Sequence, residues 1–205
     1  MYSDNELVAG CKKGDPLIQE ALYKKYASAM RYICQRYART SFEVEDIFQE
    51  SFVKVLTNIQ KYNGSGSLDG WIRRVFINSS IDYCKKNLKW NDHRPLLDGD
   101  GEYKEGEEEE PFITNISEKL SKEDLLEIVN SLPDGYRMVF NLFAIEGYSH
   151  LQVSEALNIS VGTSKSQLAK ARKMLKMLIC DKLIQPSNDI KIKLEDGELK
   201  LDVSA

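Results

Sequence analysis

Residues 148–175 read YSHLQVSEALNISVGTSKSQLAKARKML. This pattern predicts a short helix, a tight turn and a second helix. Ser149 and Ser160 are of the residue type that caps helix N-termini, and Asn158 tolerates the left-handed backbone that such a turn requires. A helix–turn–helix of this kind lays its second helix in the major groove of DNA.

The second of these helices carries only positive charge. No acidic residue occurs between Glu155 and Asp181. A run of charge is often only a solvated face. The position of the run directly after a predicted turn, together with the missing acids, favours a DNA-contacting helix over that simpler interpretation. The cations in question are Lys165, Lys170, Arg172, Lys173 and Lys176.

The net charge of −4 is unexpected for a protein that binds nucleic acid until it is divided along the chain. Residues 1–91 carry 14 Lys and Arg against 10 Asp and Glu, whereas residues 92–121 carry 3 against 10. One acidic segment therefore hides a basic N-terminal half, and the overall charge does not argue against a nucleic-acid partner.

The chain offers no pattern of catalytic or metal-binding residues. Its four cysteines form no C-x-x-C pair, so we expect reduced thiols of a cytoplasmic protein. Its two histidines, His93 and His150, have no carboxylate or cysteine at metal-ligand spacing. We therefore expect neither enzymatic activity nor a metal or other cofactor. No apolar run approaches the ~18 residues of a membrane span, so we expect no membrane insertion.

Helix signals recur through the first 91 residues. A capping box of Ser3 with Glu6 opens a first helix, and an Asp-Pro pair opens a second. The third carries a broad apolar stripe. We expect the first helix to end at Gly14 and the second to run from Asp15 to about Arg39. We expect the third to begin at Ser41 and a fourth to run from about Leu68 to Leu88.

We predict an all-α chain of two small helical domains. Periodicity disappears between Asp92 and Asn115, which predicts a flexible acidic linker. Apolar residues alternate on both sides of Asp196-Gly197, which predicts a short β-hairpin that packs on a domain, pairs with a partner or stays mostly unfolded. The expected segments are a first helical domain at 1–91, the linker at 92–120, a helix–turn–helix domain at 121–185 and the tail at 186–205.

The predicted third helix has a second face opposite its apolar stripe. Its members follow i, i+3, i+4, i+7 spacing and therefore lie together on a helix. Such a face is either simply solvated or docks on a basic surface of a partner protein. The residues are Asp46, Gln49, Glu50 and Val53.

One side of the predicted fourth helix mixes an aromatic residue with cations, an amide and a carboxylate. This mixture suits single-stranded nucleic acid, because bases stack on aromatic rings and cations follow the phosphates. The preceding Asn63–Ser67 segment is rich in Gly and Ser, and its backbone amides can close around an extruded base. Trp71 alone is equally consistent with a core position. The side in question carries Trp71, Arg74, Asn78, Asp82 and Lys85.

Three stretches, taken in order, resemble a known family. They are EVEDIFQESFVKVL, SLDGWIRRVFINSSIDYCKK and LPDGYRMVFNLFAIEGYSHLQVSEALNISVGTSKSQLAKARKML. Together they look like the two domains of bacterial RNA polymerase sigma factors, and the extracytoplasmic-function (ECF) group is the best match. The resemblance covers most of residues 10–180 but not the acidic stretch at 98–110 or the tail.

The resemblance implies a transcription initiation factor that binds core RNA polymerase and directs it to specific promoters. It implies that core polymerase is bound by Asp46, Gln49, Glu50 and Val53. It implies that the melted minus-10 strand is held by Asn63, Ser65, Trp71, Arg74, Asn78, Asp82 and Lys85. It implies that the minus-35 duplex is contacted by Ser160, Thr163, Ser164, Lys165, Ser166, Gln167, Lys170, Arg172 and Lys173.

Two positions depart from the family pattern, which commonly has arginine at Gln167 and valine at Ser164. Arginine pairs best with guanine and glutamine with adenine, so these departures leave the minus-35 preference open. The acidic linker is either a polyanion mimic within polymerase or a solubilising spacer.

Besides core polymerase and promoter DNA, an anti-sigma factor remains open as a partner. The alternative function is a helix–turn–helix regulator that acts without binding polymerase.

Overall fold

The computed structural model describes residues 2–87, 120–184, 191–195 and 198–202. Within these ranges the chain forms eight α-helices and two short strands, so the predicted all-α architecture is confirmed. We call α1–α4 the N-terminal unit and α5–α8 the C-terminal unit. The helices are α1 (Asp4–Lys12), α2 (Pro16–Gln35), α3 (Ser41–Asn58), α4 (Leu68–Asn87), α5 (Lys122–Asn130), α6 (Asp134–Phe140), α7 (His150–Leu157) and α8 (Val161–Ile184).

The predicted acidic linker falls almost wholly on residues 88–119, which lie outside the described residues. The domain boundaries proposed from the sequence remain predictions.

Side-chain caps begin several of the helices, and those at Ser3, Asp15 and Ser149 were expected from the sequence. The Asp15 carboxylate accepts a hydrogen bond of 2.9 Å from the Leu17 N–H, directly ahead of Pro16. A cap of this kind stabilises a helix by about 1 kcal/mol. Capping boxes, in which an N-cap hydroxyl and the side chain three residues later satisfy each other's backbone N–H groups, begin at Ser3, Thr40, Ser121 and Ser149.

The second helix is shorter than predicted and ends at Gln35 instead of Arg39. Its final carbonyl groups are used by side chains from the other unit. The carbonyl of Gln35 accepts from Asn130 Nδ2 at 3.0 Å, and that of Arg36 accepts from Asn141 Nδ2 at 2.8 Å. The helical pattern in the sequence gave no sign of these distant donors.

Helix α6, which begins at Asp134, is irregular at its C-terminal end. At Asn141 it changes to a π-helical turn that runs to Ile145. Gly147 then ends it in the left-handed region, with φ of 73°.

The core of the N-terminal unit is made by the apolar stripes of its helices. Helix α3 packs on α4, and α2 packs on both. The Phe48 ring lies 5.5 Å from that of Phe76, centroid to centroid. Full burial of a large apolar side chain contributes about 1.5–3 kcal/mol, so this core holds α3 and α4 in fixed relative positions. The side chains with 1% exposure or less include Leu22, Met30, Ile33, Ile47, Val55, Ile72 and Phe76.

Helix α8 organises the C-terminal unit, because α5, α6 and α7 all pack against it. The predicted turn between α7 and α8 is confirmed, with Asn158 in the left-handed region at φ 55° and ψ 48°. Ser160 then caps α8 by accepting a hydrogen bond of 2.9 Å from the Thr163 N–H. The helix–turn–helix therefore has the local chemistry that the sequence indicated.

The two strands lie in the C-terminal tail, where the sequence pattern suggested a hairpin. Strand β1 (Lys191–Glu195) pairs antiparallel with β2 (Glu198–Asp202), and Leu194 stands opposite Leu199. The intervening Asp196 and Gly197 lie outside the described residues.

The two helical units are in direct contact. Helix α4 packs on α7, and one cluster of buried apolar side chains includes Ile81 from the N-terminal unit and Leu142 from the C-terminal unit. Sequence periodicity shows which face of a helix is buried but not what covers it, so this contact was not predicted.

Asn158→Val should lower the free energy of unfolding by about 1–2 kcal/mol, because a β-branched residue is strained in the left-handed region. Asn158→Gly should change it by less than about 0.5 kcal/mol. Urea unfolding followed by circular dichroism measures both. A valine variant as stable as the wild type would contradict the left-handed turn.

Candidate functional site

The predicted polymerase-binding face of α3 is exposed along its whole length. It lies opposite the buried side of the helix, which includes Ile47 and Val55. Glu50 forms an exposed ion pair of 2.7 Å with Lys54 one turn later. An exposed pair of this kind contributes little to stability, so the carboxylate can exchange it for a partner's cation. The exposed members are Asp46, Gln49, Glu50 and Val53.

The cation, amide and carboxylate groups predicted on α4 form one exposed row. Their spacing of four, four and three residues puts them on a single helix face. The opposite side carries the buried Ile72 and Phe76, so packing in the core determines which way the row points. The row consists of Arg74, Asn78, Asp82 and Lys85.

Trp71 lies at the edge of this row and is half-buried. Its ring packs against Tyr62 with 5.6 Å between centroids, and the Tyr62 hydroxyl donates to the Gly66 carbonyl at 2.8 Å. Trp71 therefore supports the loop before α4 as well as bordering the exposed row. The two interpretations of this residue from sequence, core and surface, both describe part of its environment.

In the loop that precedes α4, a side chain hydrogen-bonds to the loop's own backbone. Asn63 Oδ1 accepts a hydrogen bond of 3.0 Å from the Ser65 N–H. Gly64 and Gly66 adopt positive φ values of 82° and 89°. Asn63 and Ser65 are both exposed, so the loop presents polar groups in a defined turn beside α4.

Seven of the nine residues predicted to contact the minus-35 duplex have accessible surface. Thr163 Oγ1 lies 2.8 Å from Ser160 Oγ, so these two hydroxyls are joined at the start of α8. The exposed members are Ser160, Lys165, Lys170 and Lys173, and the half-buried ones are Thr163, Ser166 and Arg172.

The other two predicted contacts, Ser164 and Gln167, are buried, with 0% and 4% exposure. The Gln167 amide lies against α6, where a Cβ added at Gly135 would stand 3.3 Å from its Nε2. Neither side chain has surface with which to contact a base, so we remove both from the proposed DNA contacts. The signal that could have found them is spacing, because they continue the buried stripe of Leu168, Ala171 and Leu175.

His150, on α7, contacts the second helix of the helix–turn–helix, a role that the sequence did not suggest. Its Nδ1 lies 2.9 Å from Ser164 Oγ, and its ring stacks on Phe143 at 4.2 Å between centroids. Burial, followed by the charges of Lys165 and Arg172, lowers the pKa of His150. The lowered pKa favours the neutral imidazole, which joins α7 to α8 through the Ser164 hydroxyl.

Within the described ranges, no three His, Cys, Asp or Glu side chains are grouped so that they would hold a metal ion. None of the helices described there combines the length and apolar character of a transmembrane span.

These surfaces define a class of protein: a helical DNA-binding protein in which a helix–turn–helix unit is joined to a second unit with its own polar faces. Two family models match the chain. Sigma-70 region 2 matches residues 22–89, and Sigma-70, region 4 matches residues 122–175. The first match contains α3 and α4, and the second contains the helix–turn–helix.

Curated relatives match nearly the whole chain. The ECF RNA polymerase sigma-E factor of Haemophilus influenzae is 25% identical over 177 residues, which is 84% of this chain and 93% of the relative. The ECF RNA polymerase sigma factor SigW of Bacillus subtilis is 28% identical over 180 residues, 83% of this chain and 93% of the relative. The chain therefore belongs to the sigma-70 family of RNA polymerase sigma factors, in the ECF group. It is a transcription initiation factor, which binds core polymerase and directs it to promoters.

Two solved structures are also similar to the chain. CnrH in complex with the cytosolic domain of CnrY is 19% identical, with a TM-score of 0.46, and the match covers 85% of this chain and 96% of that one. The sigma factor RpoE of Bartonella quintana, in complex with the anti-sigma factor NepR, is 20% identical, with a TM-score of 0.47 and coverage of 78% and 96%.

Gln167→Arg should lower the free energy of unfolding by about 2 kcal/mol, because it introduces a charge at a buried position. It should leave the minus-35 base preference unchanged. For the stability measurement alone, the matched control is Gln49→Arg, the same change at an exposed position, which should alter stability by less than about 0.5 kcal/mol. Thermal unfolding and transcription from a set of minus-35 variants measure the two effects. A changed base preference without loss of stability would contradict the buried position.

Proposed function

We propose that three separate helix faces carry out promoter recognition by this sigma factor. Helix α3 binds core polymerase, α4 holds the melted minus-10 strand, and α8 enters the major groove at the minus-35 element. The observation that supports this most strongly is the separation of the faces. Each lies on its own helix and presents exposed residues, so three partners can be bound without sharing a side chain.

On α3, three acceptor side chains and one apolar one suit a basic, partly apolar protein surface. Complementary charge raises the rate of encounter and selects the partner. Val53, with 59% of its surface exposed, provides apolar area that core polymerase would cover. Asp46, Gln49 and Glu50 provide the directional contacts.

On α4, each group of the exposed row has a different task. Arg74 and Lys85 neutralise phosphates of the melted strand, and Asn78 and Asp82 hydrogen-bond to exposed base edges. Trp71 offers the accessible part of its ring for stacking. The adjacent turn of Asn63 and Ser65 receives a base that leaves the stack.

On α8, the N-terminal turns provide the contacts within the groove, as is typical of helix–turn–helix proteins. The hydroxyls of Ser160, Thr163 and Ser166 and the amine of Lys165 lie on these turns. The cations farther along the helix contact the phosphate backbone and position the helix; they are Lys170, Arg172 and Lys173.

We propose a cytoplasmic location, where a core polymerase partner is found, and no catalytic activity of the chain's own. An anti-sigma factor is also part of the proposal, because membership of the ECF group makes such an inhibitor a natural partner.

An electrophoretic shift on promoter DNA, with and without core polymerase, tests the proposed division of labour. We expect weak binding to free duplex and a stable complex once core is added. Tight binding without core, unchanged when core is supplied, would favour the alternative of a regulator that acts on DNA alone.

Glu50→Arg should weaken core binding at least tenfold, because it places a cation against a basic partner surface. A pull-down with core polymerase measures this. The matched control is Glu20→Arg, since Glu20 also forms an exposed ion pair one turn away, with Lys24 at 2.5 Å, but lies outside the three faces. Normal core binding by Glu50→Arg would disprove the assignment of this face.

Lys165→Ala combined with Lys170→Ala should abolish minus-35-dependent transcription and leave core binding intact. The loss of one phosphate contact, that of Lys170, should also reduce the slope of log affinity against log salt by about 1. The control is Lys24→Ala combined with Lys182→Ala, which removes the same amount of positive charge at positions outside the three faces. If both double variants lost the same amount of transcription, the α8 face would not be the contact.

A further inference from the structure

Helix α1 ends directly against the segment that leads into the loop before α4. A single 3₁₀ turn, Ile59–Lys61, follows α3 and contacts α1. One residue of α1, Lys12, bonds to this segment twice. Its ammonium Nζ donates to the Tyr62 carbonyl at 2.8 Å, and its own carbonyl accepts from Gln60 Nε2 at 2.6 Å. We call these three residues, Lys12, Gln60 and Tyr62, the α1 clasp.

Helix α1 is itself firmly anchored in the N-terminal unit. Its Leu7 and Cys11 side chains are buried, with 1% and 4% exposure. A Cβ added at Gly10 would lie only 2.6 Å from the side chain of Ile18, so the backbone of α1 lies directly against α2. Because α1 is anchored in this way, the clasp ties the segment before α4 to a fixed part of the core.

The loop that follows the clasp has no apolar anchor of its own. Ile59 and Leu68, on either side of it, are each only 1% exposed, whereas residues 63–67 are all exposed. Gly64 and Gly66 have positive φ values, and glycine has access to many other backbone conformations. The shape of residues 63–67, which we call the base-receiving loop, therefore depends on hydrogen bonds and not on packing.

Tyr62 connects the clasp to the base-receiving loop and to α4. Its hydroxyl donates to the Gly66 carbonyl at 2.8 Å, and its ring packs on Trp71 at 5.6 Å between centroids. The carbonyl that Lys12 binds belongs to the peptide unit between Tyr62 and Asn63. Because a peptide unit is planar and rigid, fixing this carbonyl also fixes the direction in which the chain enters the loop.

Lys12 also has a simpler electrostatic role, which can be separated from the clasp. A cation in the last turn of a helix interacts favourably with the helix dipole, and Lys12 lies in the last turn of α1. The neighbouring Lys13 is exposed at the same helix end and supplies the same charge there. The bond to the Tyr62 carbonyl involves Lys12 alone, so a comparison of the two lysines distinguishes positioning from charge.

We propose that the α1 clasp positions the base-receiving loop, and that Lys12 is thereby a positioning residue for recognition of the melted minus-10 strand. Lys12 does not contact DNA in this proposal. It fixes the Tyr62 carbonyl, and Tyr62 holds the loop beside α4. A preorganised loop binds the correct base at a lower entropic cost and rejects bases that do not fit its shape. The proposal rests on the proposed role of the loop in receiving a base that leaves the stack.

Lys12→Met tests the proposal in the holoenzyme formed by the full-length chain and core polymerase. Methionine keeps an unbranched apolar side chain and removes the ammonium. The probe is a fork-junction DNA whose minus-10 element is single-stranded, taken from a promoter that the wild type transcribes, with each base replaced in turn. The discrimination ratio at a position is the affinity for the unchanged DNA divided by the affinity for the replaced one.

We expect Lys12→Met to lower this ratio by about fivefold at the base that enters the loop, a loss comparable to that of one hydrogen bond to a charged group. Ratios at the other positions should not change. A purely structural role would reduce the fraction of active protein, which affects both affinities equally and cancels in the ratio.

Two further variants make the result specific. Asn63→Ala removes the side chain that closes the loop on the Ser65 N–H, so the position whose ratio it lowers is the base that enters the loop. Combined with Lys12→Met, it should cause little further loss, because both changes act on one loop. Lys13→Met is the matched control, since it removes the same charge one residue away, and it should leave every ratio unchanged.

The proposal is wrong if Lys12→Met keeps wild-type helical content by circular dichroism and does not lower the ratio at the position that Asn63→Ala identifies. In that case the role of the loop would stand. Equal losses from Lys12→Met and Lys13→Met would also overturn it, because charge alone would explain them. If Asn63→Ala lowered no ratio, the proposed role of the loop would itself fail.

Should Lys12→Met lose helical content, Gln60→Ala decides. Gln60 is exposed, so this change removes the other bond of the clasp without disturbing the core. It should lower the ratio at the same position, and an unchanged ratio would overturn the proposal.

Discussion

A charge removed from water must remain paired, and in this protein that requirement joins the two halves of the chain. Arg36 and Glu146 are both almost fully buried, yet they come from different helical units. Neither can be buried without the other except at a large cost in free energy. The position of α5–α8 against α1–α4, and with it the contact of α4 with α7, depends on this pair, on the hydrogen bonds beside it and on the apolar cluster that the two units share.

Within each unit, apolar packing decides which side chains face solvent. Phe48 and Phe76 lock α3 to α4, so the acidic face of one helix and the mixed row of the other point outward at a fixed relative angle. In the C-terminal unit, Gln167 and Ser164 serve the same purpose with polar side chains. They anchor α8 on α6 and α7. These buried contacts determine that the lysines of α8 face solvent.

Interactions between residues close in the sequence could be predicted, but pairing between distant residues could not. The caps at Ser3 and Ser149 and the left-handed turn at Asn158 depend only on neighbours within a few residues, so a single chain reveals them. Arg36 and Glu146 are 110 residues apart, and the sequence around each residue does not indicate its partner. Gln167 was misassigned because a polar residue on a basic helix suggests solvent, although its spacing with Ala171 places it on the buried stripe.

The burial of Ser164 and Gln167 has a consequence for how the duplex is recognised. Because the Gln167 amide is buried, α8 presents mainly amines and small hydroxyls. These groups discriminate bases less sharply than an amide or guanidinium that binds in a bidentate way. Most of the binding free energy at this element then comes from the release of condensed counterions from the phosphates, which is insensitive to sequence. On the proposed roles of the two helices, the choice between promoters therefore shifts towards the unpaired strand, whose bases we propose that Asn78 and Asp82 of α4 contact.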